Sequence, residues 1–257
     1  MPFFFCYNRG MNIEKKRYTL IDILRSFAMI AMIFYHAVWD LVYIFDVDVP
    51  WFSSQSAAIL QMSIRLSFII LSGFCWSMSR NNLKRGCIVY IASWIITIVT
   101  MLFMPNQYIL FGVLSLIGSA MLFTLPLDSL FKKINPYIGI LACSVLFILF
   151  KQIMNGYIGI GNIELLQIPS SFYNSHIGAY LGFPDYAFQS TDYVPIFPWL
   201  FVFWIGYFIY QLFKKRDWLK HLKMVESKPL EWIGRNSLLI YMVHQPIIYV
   251  ILNLVCK

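Results

Sequence analysis

The sequence predicts an all-α fold, a polytopic integral membrane bundle of about seven transmembrane helices with a cytoplasmic N-terminus. Three observations predict it. Of 257 residues, 60% are hydrophobic and 18% aromatic, and only 12% are charged, about half the charged fraction of an ordinary globular domain. A water-soluble fold of this length cannot cover so much apolar surface, so lipid must act as part of the solvent. Seven stretches also approach the roughly 20 apolar residues that a bilayer crossing needs: 19–42, 56–79, 87–104, 108–127, 136–154, 195–213 and 236–255. Finally, 16 of the 20 lysines and arginines fall on alternate connections.

That asymmetry orients the chain. Arg9, Lys15, Lys16 and Arg17 precede span 1; Arg80, Lys84 and Arg85 separate spans 2 and 3; Lys132 and Lys133 separate spans 4 and 5. Lys214, Lys215, Arg216, Lys220, Lys223, Lys228 and Arg235 separate spans 6 and 7. The positive-inside rule makes this side cytoplasmic and the C-terminus external. The net charge of +8 thus reports orientation in the plasma membrane, with lipid and not nucleic acid as the implied partner.

Residues 1–17 read as a cytoplasmic tail, in which Met11 is an alternative start to Met1, and 18–257 as one membrane domain. Span 1 is too long and too charged for a cleaved signal peptide. Residues 155–194, rich in Tyr, Phe, Pro and Gly, read as a folded external lid. The 214–235 connector mixes Trp218, Leu219, Leu222, Val225 and Trp232 with lysines, as an amphipathic helix on an anionic leaflet does. The five cysteines show no metal-type spacing and no pairing pattern, and read as packing residues. No metal is called for, and a homodimer is compatible with the pattern.

Ionisable side chains at bilayer depth are costly and mark function by default. Span 1 carries four: Asp22, Arg25, His36 and Asp40. Arg25 and His36 are 11 positions apart, about three turns, and share a helix face. Asp22 lies three residues before Arg25 and Asp40 four after His36, so both pairs can touch. The rise from Asp22 to Asp40 is about 27 Å, nearly the hydrocarbon thickness. Span 2 adds Arg65. Span 7 adds Tyr241 and His244, then Gln245 before Pro246, which frees a backbone carbonyl. Asp192 and Tyr193 precede span 6. Each has a plainer reading: Asp22–Arg25 as a structural ion pair, Arg65 as counter-ion to Asp40, His244 as a satisfied core histidine.

The pattern Arg25-x10-His36, the Ser72-Gly73-Phe74 turn and Lys84-Arg85-Gly86 resemble the transmembrane acyltransferase superfamily. The chain is most similar to the heparan-alpha-glucosaminide N-acetyltransferase catalytic-domain family in a short bacterial form. Ile21 to Ser26, Tyr35-His36 through Asp40-Leu41, Phe111-Gly112-Val113-Leu114, Asp192-Tyr193-Val194-Pro195 through Pro198-Trp199, and Gly234-Arg235-Asn236-Ser237 to His244-Gln245-Pro246 carry the resemblance. It implies transfer of an acetyl or other acyl group from cytoplasmic acetyl-CoA (acyl-CoA) to a hydroxyl or amine of a sugar or lipid-linked glycan. It further implies donor-binding roles for Asp22, Arg25, Lys84, Arg85, Ser115, Arg235 and Asn236, and acceptor-binding roles for Asp192, Tyr193 and Trp199. Two departures stand out. Ser26 replaces a glycine, and Ser115 replaces a histidine after the Phe-Gly-x-Leu segment, a role that His244 is placed to take.

Acyl transfer needs a held thioester, a base and an oxyanion donor. His36 is the natural base, Asp40 one turn on is placed to accept its other ring N–H, and Arg65 or Tyr241 is placed to meet the oxyanion. An acyl-imidazole on His36 is a variant. A proton-coupled transporter or flippase partner also uses intramembrane His, Asp and Arg, but inverted repeats and paired broken helices are expected there, and only span 7 is interrupted.

Overall fold

The computed structural model of the chain describes residues 18–223 and 227–256. The tail 1–17 and Val225 of the connector lie outside them. Among the described residues seven helices are long and apolar enough to cross a membrane, which makes this a polytopic helical membrane protein. They are α1 (Thr19–Tyr43), α2 (Gln55–Trp76), α3 (Asn82–Phe103), α4 (Val113–Phe131), α5 (Pro136–Phe150, continued by a 3-10 turn at Ile153–Asn155), α7 (Ile196–Lys215) and α9 (Ser237–Val255). The remaining strands and α-helices are β1 (Tyr157–Ile160), β2 (Ile163–Gln167), α6 (His176–Leu181) and α8 (Lys228–Arg235).

The chain divides into two compact units. The first comprises residues up to Leu71 together with Asp217–Lys257. Here α1 packs against α8 and α9. No Gly or Pro interrupts α1. The chain reverses after it, where Asp46 takes a left-handed φ of 52°, a conformation that Asp tolerates better than most residues. The connector departs from the expected single amphipathic helix. It forms a 3-10 turn at Trp218–Lys223 and then α8, which is docked on α1 and not merely laid on a leaflet. A Cβ at Gly234 would fall 2.1 Å from the Asp22 carbonyl oxygen, and the Ser26 hydroxyl donates to the Leu230 carbonyl. Trp232, 61% exposed, points away.

The second unit, Ser72–Arg216, holds the last turns of α2, the antiparallel pairs α3–α4 and α5–α7, and the lid. Small residues set the approach distances. A Cβ at Gly118 would lie 2.7 Å from the Tyr90 nitrogen, and one at Gly139 would lie 2.5 Å from the Phe208 ring. Side chains tie α7 to α4: Trp204 Nε1 donates to Thr124 Oγ1 (3.0 Å) and the Tyr207 hydroxyl to Asp128 Oδ1 (2.8 Å). Asn135 caps α5 by accepting from the Tyr137 amide, with Pro136 in the first turn where its missing N–H costs nothing.

Span 4 starts five residues later than its apolar run. Residues 108–112 instead form a strap: Phe111 has φ 57° and Gly112 is extended. The Thr191 and Val194 amides donate to the Tyr108 and Phe111 carbonyls, and the Ser190 hydroxyl bonds both backbone groups of Leu110. Cys75 and Cys143 are buried, and Cys87, Cys143 and Cys256 are free thiols.

The closest backbone approach is at Gly73, where a Cβ would fall 1.9 Å from the Phe203 carbonyl oxygen. Gly73→Ala must separate α2 from α7, with an expected cost of about 1–3 kcal/mol. The apparent unfolding temperature in detergent should drop by several degrees, and an unchanged value would contradict this contact.

Candidate active site

The titratable residues of α1 form one inward stripe. Asp22 and Asp40 are 18 positions apart, about five whole turns, so they share an azimuth; Arg25, Met29, Met32 and His36 lie within about 80° of it. Burial agrees: Asp22 is 4% exposed, Arg25 3%, Met29 0%, Met32 3% and Asp40 0%. Leu24, Phe27, Ile30 and Phe34 point the other way and are exposed, as a lipid-facing surface is.

One end of the stripe is the α1–α8 junction. Arg25 Nη1 lies 3.4 Å from Asp22 Oδ1, with both side chains nearly fully buried. Ser26 also donates to the Asp22 carbonyl at 2.8 Å. On α8, Arg235 pairs with Glu231 at 2.8 Å, and Asn236 Nδ2 donates to the Trp232 carbonyl at 2.8 Å. Gly234 seats this segment on Asp22, while Arg235 and Asn236 bond to Glu231 and Trp232 of their own segment.

At the other end the His36 and His244 rings lie 5.0 Å apart between centroids. Tyr241 packs 5.4 Å from His244, and its carbonyl lies 2.6 Å from His244 Nδ1. The Phe68 ring meets Tyr241 at 6.3 Å. The rings of His36, Tyr241 and His244 therefore lie together, and the bonding of Asp40 differs from the expectation. Asp40 does not accept from His36; Asp40 Oδ1 accepts from Gln245 Nε2 at 2.5 Å. Nor does Arg65, half-buried on α2, serve as its counter-ion, because no basic side chain among the described residues pairs with Asp40. Gln245, named in the span 7 run, is the residue to which sequence reasoning gave no role. Its place between His244 and Pro246 was the available signal.

The second unit holds the other named residues. Lys84 and Arg85 open α3, with Arg85 Nη1 reaching the Cys75 carbonyl at 3.5 Å. Ser115 is not beside them. Gly86 meets α4 at Met121 and Leu122, so Ser115 lies about 10 Å further along α4, toward its N-terminal end. Asp192 lies against Gly112, its carbonyl 3.3 Å from where a Cβ would be. Tyr193 donates to the Ala179 carbonyl, and its ring meets Phe188 at 4.9 Å. Trp199 is 7% exposed with its ring on Phe147, a packing position and not an open surface. Tyr180 donates to Ser119, which donates to the Ser115 carbonyl at 2.6 Å.

Two outcomes follow from this geometry. Arg25→Met removes a buried partner of the Asp22 carboxylate and should lower stability by up to about 3–5 kcal/mol; thermal unfolding in detergent measures the loss. Burial pushes the Tyr180 hydroxyl from 10.0 to about 12. Its folded-state value is raised, so its contribution to stability is complete below about pH 10 and is lost as pH climbs to about 12. Tyr180→Phe should flatten that alkaline loss in a pH series of unfolding temperatures.

A family model described as heparan-alpha-glucosaminide N-acetyltransferase, catalytic, matches residues 17–246. That range takes in both ends of the α1 stripe, the lid and the imidazole pair. No curated protein and no solved structure matches the chain. The match covers most of the sequence, and the chain belongs to this family of membrane acetyltransferases.

Proposed function

We propose that the protein transfers an acetyl group from cytoplasmic acetyl-CoA to a hydroxyl or amine of a sugar or lipid-linked glycan at the outer side of the plasma membrane. The observation that carries this reading is the buried stripe of α1, with Arg25 near one end and the His36–His244 pair toward the other. About 16 Å of helix separates Arg25 from His36, a span suited to an extended thioester arm whose phosphates stay at the basic end. The positive-inside asymmetry puts Arg25, Arg235, Lys84 and Arg85 on the cytoplasmic side.

In this mechanism the acceptor's oxygen or nitrogen attacks the thioester carbonyl carbon while His36 takes its proton. Tyr241 or Arg65 donates to the developing oxyanion in a site where water is scarce. The carbon–sulfur bond then breaks, and the imidazolium returns the proton to the departing thiolate. His244, against the His36 ring, is the alternative base, which suits a chain with Ser115 where relatives carry histidine. Asp192 and Tyr193 are the residues proposed to bind the sugar.

The test is purified protein in liposomes with radiolabelled acetyl-CoA and glucosamine. His36→Ala should lower transfer about 10²–10⁴-fold while leaving coenzyme A affinity within twofold of wild type. Wild-type turnover in this variant would remove His36 from the mechanism. Absence of any acetyl-CoA turnover by the unmodified protein would overturn the acyltransferase reading.

A further inference from the structure

Asp40 occupies an unusual position for a buried carboxylate. It is 0% exposed and sits in the last turns of α1, where the aligned carbonyl dipoles disfavour an anion. Its own carbonyl already accepts from the Ile44 and Phe45 amides. Its one side-chain hydrogen bond among the described residues comes from Gln245 Nε2. Two oxygens of this pair, Asp40 Oδ2 and Gln245 Oε1, are buried with no hydrogen-bond partner among the described residues. Unsatisfied buried acceptors are rare in native proteins and call for an occupant.

The chemistry of that occupant is constrained. A carboxylate oxygen and an amide oxygen both require hydrogen-bond donors. The reacting end of a thioester, a carbonyl oxygen and a sulfur, offers acceptors alone. A hydroxyl or amine nucleophile offers donors. Asp40 follows His36 by one helical turn and Gln245 follows His244 directly, so the orphaned oxygens belong to residues within about one helical turn of the imidazole pair.

We infer that Asp40 and Gln245 seat the N–H or O–H group of the acyl acceptor beside the two imidazoles. Gln245 acts as a positioning residue: its amide N–H fixes one carboxylate oxygen and leaves the other for the incoming nucleophile. This inference rests on the acyl-transfer reading above. It adds the location of the acceptor's reacting group and a residue that controls its binding.

The experiment uses the full chain in liposomes with saturating acetyl-CoA and hydroxylamine as the acceptor probe, following acetohydroxamate and free coenzyme A as products. Gln245→Leu should raise the KM for hydroxylamine at least tenfold while the Kd for coenzyme A stays within twofold of wild type. The exchange Asp40→Asn with Gln245→Glu restores one amide on one carboxylate and should recover part of that KM. Where Gln245→Leu does not fold, Gln245→Glu alone is read by the same two constants. An unchanged hydroxylamine KM, or a coenzyme A affinity that weakens in step with it, overturns the role of the pair. Wild-type protein that neither forms acetohydroxamate nor releases coenzyme A above the enzyme-free rate, with hydroxylamine or with glucosamine, overturns the acyl-transfer reading and this inference with it, which separates the two failures.

Discussion

The cost of holding charge inside an apolar layer governs the unit built around α1. Each ionisable side chain at bilayer depth costs about 2.5–3.5 kcal/mol on insertion scales, and α1 places four on or near one azimuth. A lone helix cannot meet that demand, because its backbone groups are already committed to one another. Neighbouring elements meet it differently at each end. At one, the Asp22–Arg25 pair is covered by α8, which approaches until only a glycine fits at position 234. At the other, α9 brings an amide to Asp40 and an imidazole to His36. The opposite face of α1, with Leu24, Phe27, Ile30 and Phe34, asks nothing of its surroundings except lipid.

The second unit solves a different problem, fixing a long loop to a hairpin of helices. Backbone donors at Thr191 and Val194 engage the carbonyls of 108 and 111, so the lid shares a short extended seam with the α3–α4 connection. Aromatic rings fill the space behind it: Phe111 packs on Tyr180 at 5.2 Å and stacks on Phe188 at 6.2 Å. The lid is therefore an integral part of its unit, and Asp192 and Tyr193 are held at a fixed register beside Gly112.

Much of this was legible in the chain itself. Span positions follow from apolar run length, and the stripe on α1 follows from the 3.6-residue period alone. Arg25 and His36 could be placed on one face without coordinates. What stayed hidden depended on contacts between elements distant in sequence. A run such as Tyr108 to Gly112 looks like helix until Ser190 to Val194 offers it a partner. Lysines and tryptophans between spans 6 and 7 suggest a surface helix, whereas a single glycine, Gly234, decides that it docks. Asp40 four residues after His36 invites a bond between them, yet Gln245, more than two hundred residues away, reaches the carboxylate.

Asn236 alone separates α8 from α9. The place where α8 rests on α1 therefore fixes where α9 begins, and α9 carries His244 and Gln245. One continuous piece of main chain thus reaches from the Asp22 end of the stripe to the imidazole pair at the other.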